Sequence, residues 1–186
     1  MKNLYWLSIA FGLVVAGFFL ADRRFTEVGL IGALICAGLT LGLGFWWFKP
    51  RPMWQGILWG ALAQPVVFSL NNQMVGISNK LGITHLDAAL YSPLPEETIK
   101  LLGVVIIVAA FKNVRHPYQA AAIGMAIGLG FDAMENVPFI LHAAIDNLDG
   151  DLWGVIITGI GRFFTGAFSH ALYTGCLLYT SPSPRD

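Results

Sequence analysis

Charge is scarce in this chain. Only 11 basic and 11 acidic residues occur among 186, about half the charged fraction usual for a soluble domain. With so little charge and a mean hydropathy of +0.66, the sequence reads as a polytopic membrane protein rather than a soluble one. The formal net charge is zero, which gives no electrostatic footprint for nucleic acid. Cysteine is nearly absent: Cys36 lies in the middle of one apolar run and Cys176 near the end of another, so no disulfide or thiol nucleophile is indicated. There is no HExxH, the close helical spacing of ligands that usually marks a zinc site. A cleaved signal peptide is not expected either. The run from Asn3 to Ala21 is too long for one, and no small-x-small site precedes Asp22, so it reads as a retained first span.

Long apolar runs are what the chain does have. Spans are expected at about 3–21, 28–48, 53–70, 98–111, 118–143 and 152–179. The second ends in Phe45-Trp46-Trp47-Phe48 and then Lys49-Pro50-Arg51-Pro52, aromatics and basic residues that mark an interface. The third contains Pro65, expected to kink it. Residues 71–92 are polar and read as a surface loop with a short amphipathic helix on the membrane, where His85 and Asp87 are solvated. Gly124 and Gly128 form a small-xxx-small face suited to close helix packing. The last stretch is longer than one span requires and is expected to break near Gly159-Ile160-Gly161, leaving Arg162 and His170 on one helix.

These features predict an all-α, polytopic transmembrane helix bundle of about six to seven spans. Residues 1–175 form a single integral membrane domain. Residues 176–186, CLLYTSPSPRD, look like translated sequencing-adapter text, so the expectation is a non-native tail on a truncated last helix. Lys2, Lys49, Arg51, Lys112 and Arg115 on one side outnumber Arg23, Arg24 and Lys80 on the other, which favours an N-terminus inside, in a bacterial-type cytoplasmic membrane.

The exceptions within the apolar runs point to chemistry. Glu96 and Glu97 follow Pro95 at the start of the fourth span, Glu135 lies late in the fifth, and Arg162 and His170 lie in the last. A carboxylate at the centre of a membrane helix costs roughly 2.5–3.5 kcal/mol, so such residues persist where they are used. A carboxylate can take a proton from water, and a second acid with a histidine can bind a metal or stabilise an oxyanion. Ser169 adjoins His170 but points about 100° away on a helix and does not pair with it. The same residues also fit non-catalytic roles: a proton relay in a small transporter, or a Glu135–Arg162 pair setting helix register in a membrane scaffold.

Three motifs in order, Glu96-Glu97-Thr98-Ile99-Lys100, Phe131-Asp132-Ala133-Met134-Glu135-Asn136 and His170-Ala171-Leu172-Tyr173, resemble the PrsW family of intramembrane proteases over about residues 90–175. The type II CAAX prenyl endopeptidases are more distantly similar; they share the double glutamate but usually carry histidine where this chain has Glu135. The resemblance implies a protease-like domain and a membrane-embedded endopeptidase, classed as a metalloprotease, with a metal such as zinc. Its substrate would be a membrane-anchored protein, an anti-sigma factor being the best-known kind, and its other partner the lipid bilayer. It implies Glu96, Glu97, Glu135 and His170 as the catalytic set, with Glu97 or Glu96 as general base. Glu135 and His170 are then metal ligands, or acid and oxyanion stabiliser without a metal. Lys100, Phe131, Asn136 and Arg162 are expected to bind substrate or support the site. Asp132 is left without a role.

Overall fold

The computed structural model describes residues 1–21, 25–48, 54–82, 93–111, 116–166 and 168–179. Among them the chain forms seven helices and no strand. These are α1 (Lys2–Ala21), α2 (Glu27–Phe48), α3 (Trp54–Leu81), α4 (Pro93–Ala110), α5 (Pro117–Asp146), α6 (Asp151–Gly166) and α7 (Ser169–Tyr179). The expected all-α bundle is what the chain folds into. The charged residues at 22–24, 49–51 and 112–115, the segment 83–92 with His85 and Asp87, and the tail from 180 to 186 lie outside the described residues.

The outer surface explains the composition. Leu7, Phe11, Leu13 and Val14 of α1 and Ile31, Leu34, Ile35 and Leu39 of α2 are all exposed. A continuous apolar exterior of this kind has acyl chains, not water, as its solvent. Two stretches, Glu27–Trp47 and Asp151–Cys176, are long and apolar enough on their own to cross a membrane. α4 and α5 are less uniformly apolar because they carry Glu96, Glu97, Lys100, Asp132 and Glu135.

α5 is the hub. It packs against α2, α3, α4, α6 and α7, and α1 closes over α3 and α4. Its inner face, Ile123, Ile127 and Phe131, meets Trp59, Ala63 and Val67 of α3, Ile107 of α4, and Tyr5 of α1. The α3–α5 crossing is close because glycines face backbone on both sides. A Cβ at Gly60 would run into the Ile127 carbonyl, and one at Gly130 into that of Ile57. Close approach of this kind replaces the hydrophobic drive that lipid removes, since packing is what associates helices in a membrane. Two directed bonds add to it: the Tyr5 hydroxyl donates to the Gln55 carbonyl at 3.1 Å, and Trp59 Nε1 donates to the Ile99 carbonyl at 3.1 Å. The second of these ties α3 to α4 one residue from Lys100.

Two expectations are corrected. The third span does not end at Leu70: α3 stays helical through Asn71, Asn72 and Gln73 to Leu81 and then turns at Gly82, where φ is +71°. Amides and serines lower hydropathy without stopping a helix, and α3 also passes through Pro65 without ending. Nor does the last stretch break at Gly159–Gly161. The two helices divide between Gly166 and Ser169, where Phe168 adopts a left-handed φ of +71°. Glycines inside a helix cost only about 1 kcal/mol each, less than leaving backbone groups unpaired in lipid. Arg162 and His170 therefore sit on different helices.

Candidate active site

Glu96 and Glu97 lie at the start of α4, where Pro95 occupies the first turn and its missing N–H is no loss. One turn on, at the i+4 and i+3 positions, Lys100 is completely buried. Its Nζ donates to Glu97 Oε1 at 2.9 Å and lies 3.9 Å from Glu96 Oε2. The same ammonium sits over the Phe131 ring at 4.3 Å and contacts His170 Nδ1. A lysine with no exposure, two carboxylates and an aromatic face is compensated as a buried cation must be.

His170, in the first turn of α7, connects the two halves of the site. Nδ1 meets Lys100, and Nε2 lies 3.1 Å from Glu135 Oε2 and 4.0 Å from Asp132 Oδ1. Phe131 packs edge-on against the imidazole, centroids 5.1 Å apart. Glu135 in turn accepts from Arg162 Nη2 at 3.1 Å, while Arg162 Nε donates to Asn136 Oδ1 at 2.9 Å and the guanidinium covers the Phe139 ring at 4.2 Å. The result is one unbroken path of polar contacts, Glu97–Lys100–His170–Glu135–Arg162–Asn136, drawn from α4, α7, α5 and α6. Every residue singled out from the motifs is in it or against it. Glu96 stands within reach of Lys100, and Phe131 forms the wall that both Lys100 and His170 touch.

Close packing makes this possible. Gly128 lies where α7 crosses α5, and a Cβ there would overlap the His170 carbonyl group. α7 can bring its imidazole over Phe131, Asp132 and Glu135 only because residue 128 has no side chain. The small-residue face was legible beforehand; that its neighbour would be the backbone of His170 was not.

Asp132 is the residue the motifs passed over. It is 2% exposed, one turn before Glu135 on the same face of α5, and among the described residues its Oδ2 has no hydrogen-bond partner. The i, i+3 spacing of Asp132 and Glu135 was a visible signal that both carboxylates share a face. Asp132, Glu135 and His170 each offer a donor atom within 4.8 Å of the others, as do Glu96, Glu97 and His170.

Arg162 ties α6 to this network. Arg162→Met removes the cation from Glu135 and a donor from Asn136. The expected cost is about 2–3 kcal/mol, below the ~3–5 kcal/mol of a fully enclosed pair because both partners keep part of their exposure. Denaturant melts of the detergent-solubilised variant measure it, and Arg162→Lys should recover only part, since an ammonium cannot reproduce the two-point contact.

A polytopic helix bundle that gathers paired glutamates, a third glutamate, a buried lysine and a histidine into one connected network among apolar helices is an integral membrane protein with a candidate site for chemistry at its centre. The family model for PrsW intramembrane metalloproteases matches residues 49–180, and the chain belongs to that family. No curated protein and no solved structure matches it. The match begins after α2, so it takes in all four helices that supply the network.

Proposed function

We propose that this protein is an intramembrane endopeptidase that hydrolyses a peptide bond in a membrane-anchored protein, an anti-sigma factor being the kind of substrate the family resemblance implies. The observation that carries this reading is the contact path joining the double glutamate to Glu135 through Lys100 and His170. Glu96 and Glu97 provide the general base, taking a proton from the attacking water as its oxygen bonds to the scissile carbonyl carbon. That proton returns to the leaving nitrogen as the C–N bond breaks. Lys100 holds Glu97 in place and balances the carboxylate charge. Asn136 supports substrate binding: its Oδ1 is held by Arg162, and its buried Nδ2, without a partner among the described residues, can donate to a substrate carbonyl.

A family of metalloproteases implies a divalent ion, and the residues present suit one. Glu135 and His170 bring a carboxylate oxygen and an imidazole nitrogen to 3.1 Å, with Asp132 Oδ1 4.0 Å from the same nitrogen. Glu135 and His170 would hold the ion, which when bound supplies Lewis acidity to the scissile carbonyl. The basic-residue count favours a cytoplasmic N-terminus, which puts the site toward the outer face.

The test is release of a tethered reporter by purified protein in liposomes. Wild type should cleave, a chelator should abolish cleavage, and divalent ion should restore it. Full activity in metal-free protein removes the ion from the reading. Unchanged shedding by His170→Ala ends the peptidase reading altogether.

A further inference from the structure

Two sets of donors share His170, and they differ in one respect. The first, Glu96, Glu97 and Nδ1, surrounds a cation that the chain itself supplies: Lys100 Nζ is 2.9 Å from Glu97, 3.9 Å from Glu96 and in contact with Nδ1. The second, Asp132, Glu135 and Nε2, has no cation of the chain between its donors among the described residues. Arg162 bonds Glu135 through Oε1, on the other oxygen from the Oε2 that faces His170. Asp132 is 98% withdrawn from the surface, turns Oδ1 toward Nε2 at 4.0 Å, and among the described residues leaves its other oxygen, Oδ2, without a hydrogen-bond partner. A bare carboxylate oxygen in the interior of a membrane protein is costly, and in native proteins such a group calls for an explanation.

We propose that Asp132, Glu135 and His170 form a three-donor site for one divalent cation, with Asp132 as the third ligand. This rests on the peptidase reading for its use, though not for its existence. Ligands on one ion with bonds of about 2.0–2.2 Å stand roughly 3.0–3.5 Å apart. The donors here are 3.1 Å (Nε2 to Glu135 Oε2) and 4.0 Å (Nε2 to Asp132 Oδ1) apart, and all three residues offer an atom within 4.8 Å of the others, so small side-chain movements close the set. Two carboxylates and one imidazole suit zinc, manganese or cobalt. Binding at Nε2 puts the imidazole proton on Nδ1. Lys100 then ceases to donate to that nitrogen and keeps Glu97 as its acceptor. The double glutamate, with its own ammonium, is excluded as the metal's home. That leaves Glu96 and Glu97 to act on protons.

The probe is Co²⁺, titrated into stripped, detergent-solubilised full-length protein and followed by its visible absorption and by metal content. Wild type should bind one ion per chain. Asp132→Asn, which keeps the shape and loses the charge, should weaken binding by at least about 100-fold, the upper range for losing a supporting contact to a metal ligand. Asp146→Asn, an exposed acid on the same helix, should bind as wild type does. Wild-type affinity in a folded Asp132→Asn chain overturns the proposal. If the variant does not fold, X-ray absorption of the Co²⁺-loaded wild type decides: one imidazole with two carboxylates supports the site, and two or more imidazoles overturn it. Reporter cleavage is scored separately. Metal binding untouched in Asp132→Asn while His170→Ala stops cleavage removes only Asp132's role. Metal lost in Asp132→Asn with no cleavage by wild type leaves the site standing and removes the peptidase.

Discussion

Glu96→Gln and Glu97→Gln chains should release the tethered reporter at least about 100-fold more slowly than wild type, the lower end of what a positioned general base contributes. Glutamine keeps the shape and an acceptor oxygen but cannot take a proton at working pH. Lys100 Nζ can still donate to a residue-97 amide oxygen, so α4 should stay seated and the variant should fold. The loss should therefore appear in kcat with KM little changed, the pattern of an interaction made only in the transition state. Glu97 is the closer partner of Lys100, at 2.9 Å against 3.9 Å, so its replacement should also lower the melting temperature more than that of Glu96. Both variants cleaving within a few-fold of wild type would remove the double glutamate from the chemistry, whereas one alone doing so would assign the base to the other glutamate.

The second large effect is steric. Gly128→Val should abolish activity while changing no polar atom. The added side chain falls on the carbonyl carbon and oxygen of His170 and on the Ala171 Cα. These are backbone atoms that cannot rotate away, so α7 must move outward and take the imidazole from Lys100 and Glu135. A displacement of about 1 Å in a catalytic group can cost 100-fold in rate, and overpacking adds roughly 1–3 kcal/mol of instability. Gly128→Ala should show the same direction with a smaller effect. Gly38→Ala is the control: a Cβ on that glycine meets nothing within 4 Å, so the change should be neutral or stabilising. A fully active Gly128→Val chain would mean that the position of α7 does not govern the site.

Much of the site was legible in one dimension because membrane insertion penalises charge. Against so apolar a background, Glu96, Glu97, Lys100, Glu135, Arg162 and His170 stand out, and each proves to belong to one network. Lys100 was harder to read. An i, i+4 glutamate–lysine pair is commonplace on exposed helices, and only burial against Phe131 and His170 turns it into the centre of the cluster. Asp132 was visible but uninterpretable, since its neighbours come from α7 as well as from its own helix. Helix boundaries failed where polarity was mistaken for irregular structure, as at Asn71–Leu81, and where glycine was mistaken for a break, as at Gly159–Gly161. Hydropathy measures the preference of side chains for lipid. It does not report whether the backbone goes on bonding to itself.

The sequence by itself determined that this is an all-helical membrane protein and which polar side chains it keeps within its apolar helices, because burying a charge in lipid is expensive enough to be read residue by residue. Tertiary structure alone decided which of them touch. That depends on the approach of α7 to α5 at Gly128 and of α3 to α5 at Gly60 and Gly130, a matter of a few ångströms between backbones that no linear pattern of apolar and polar residues encodes.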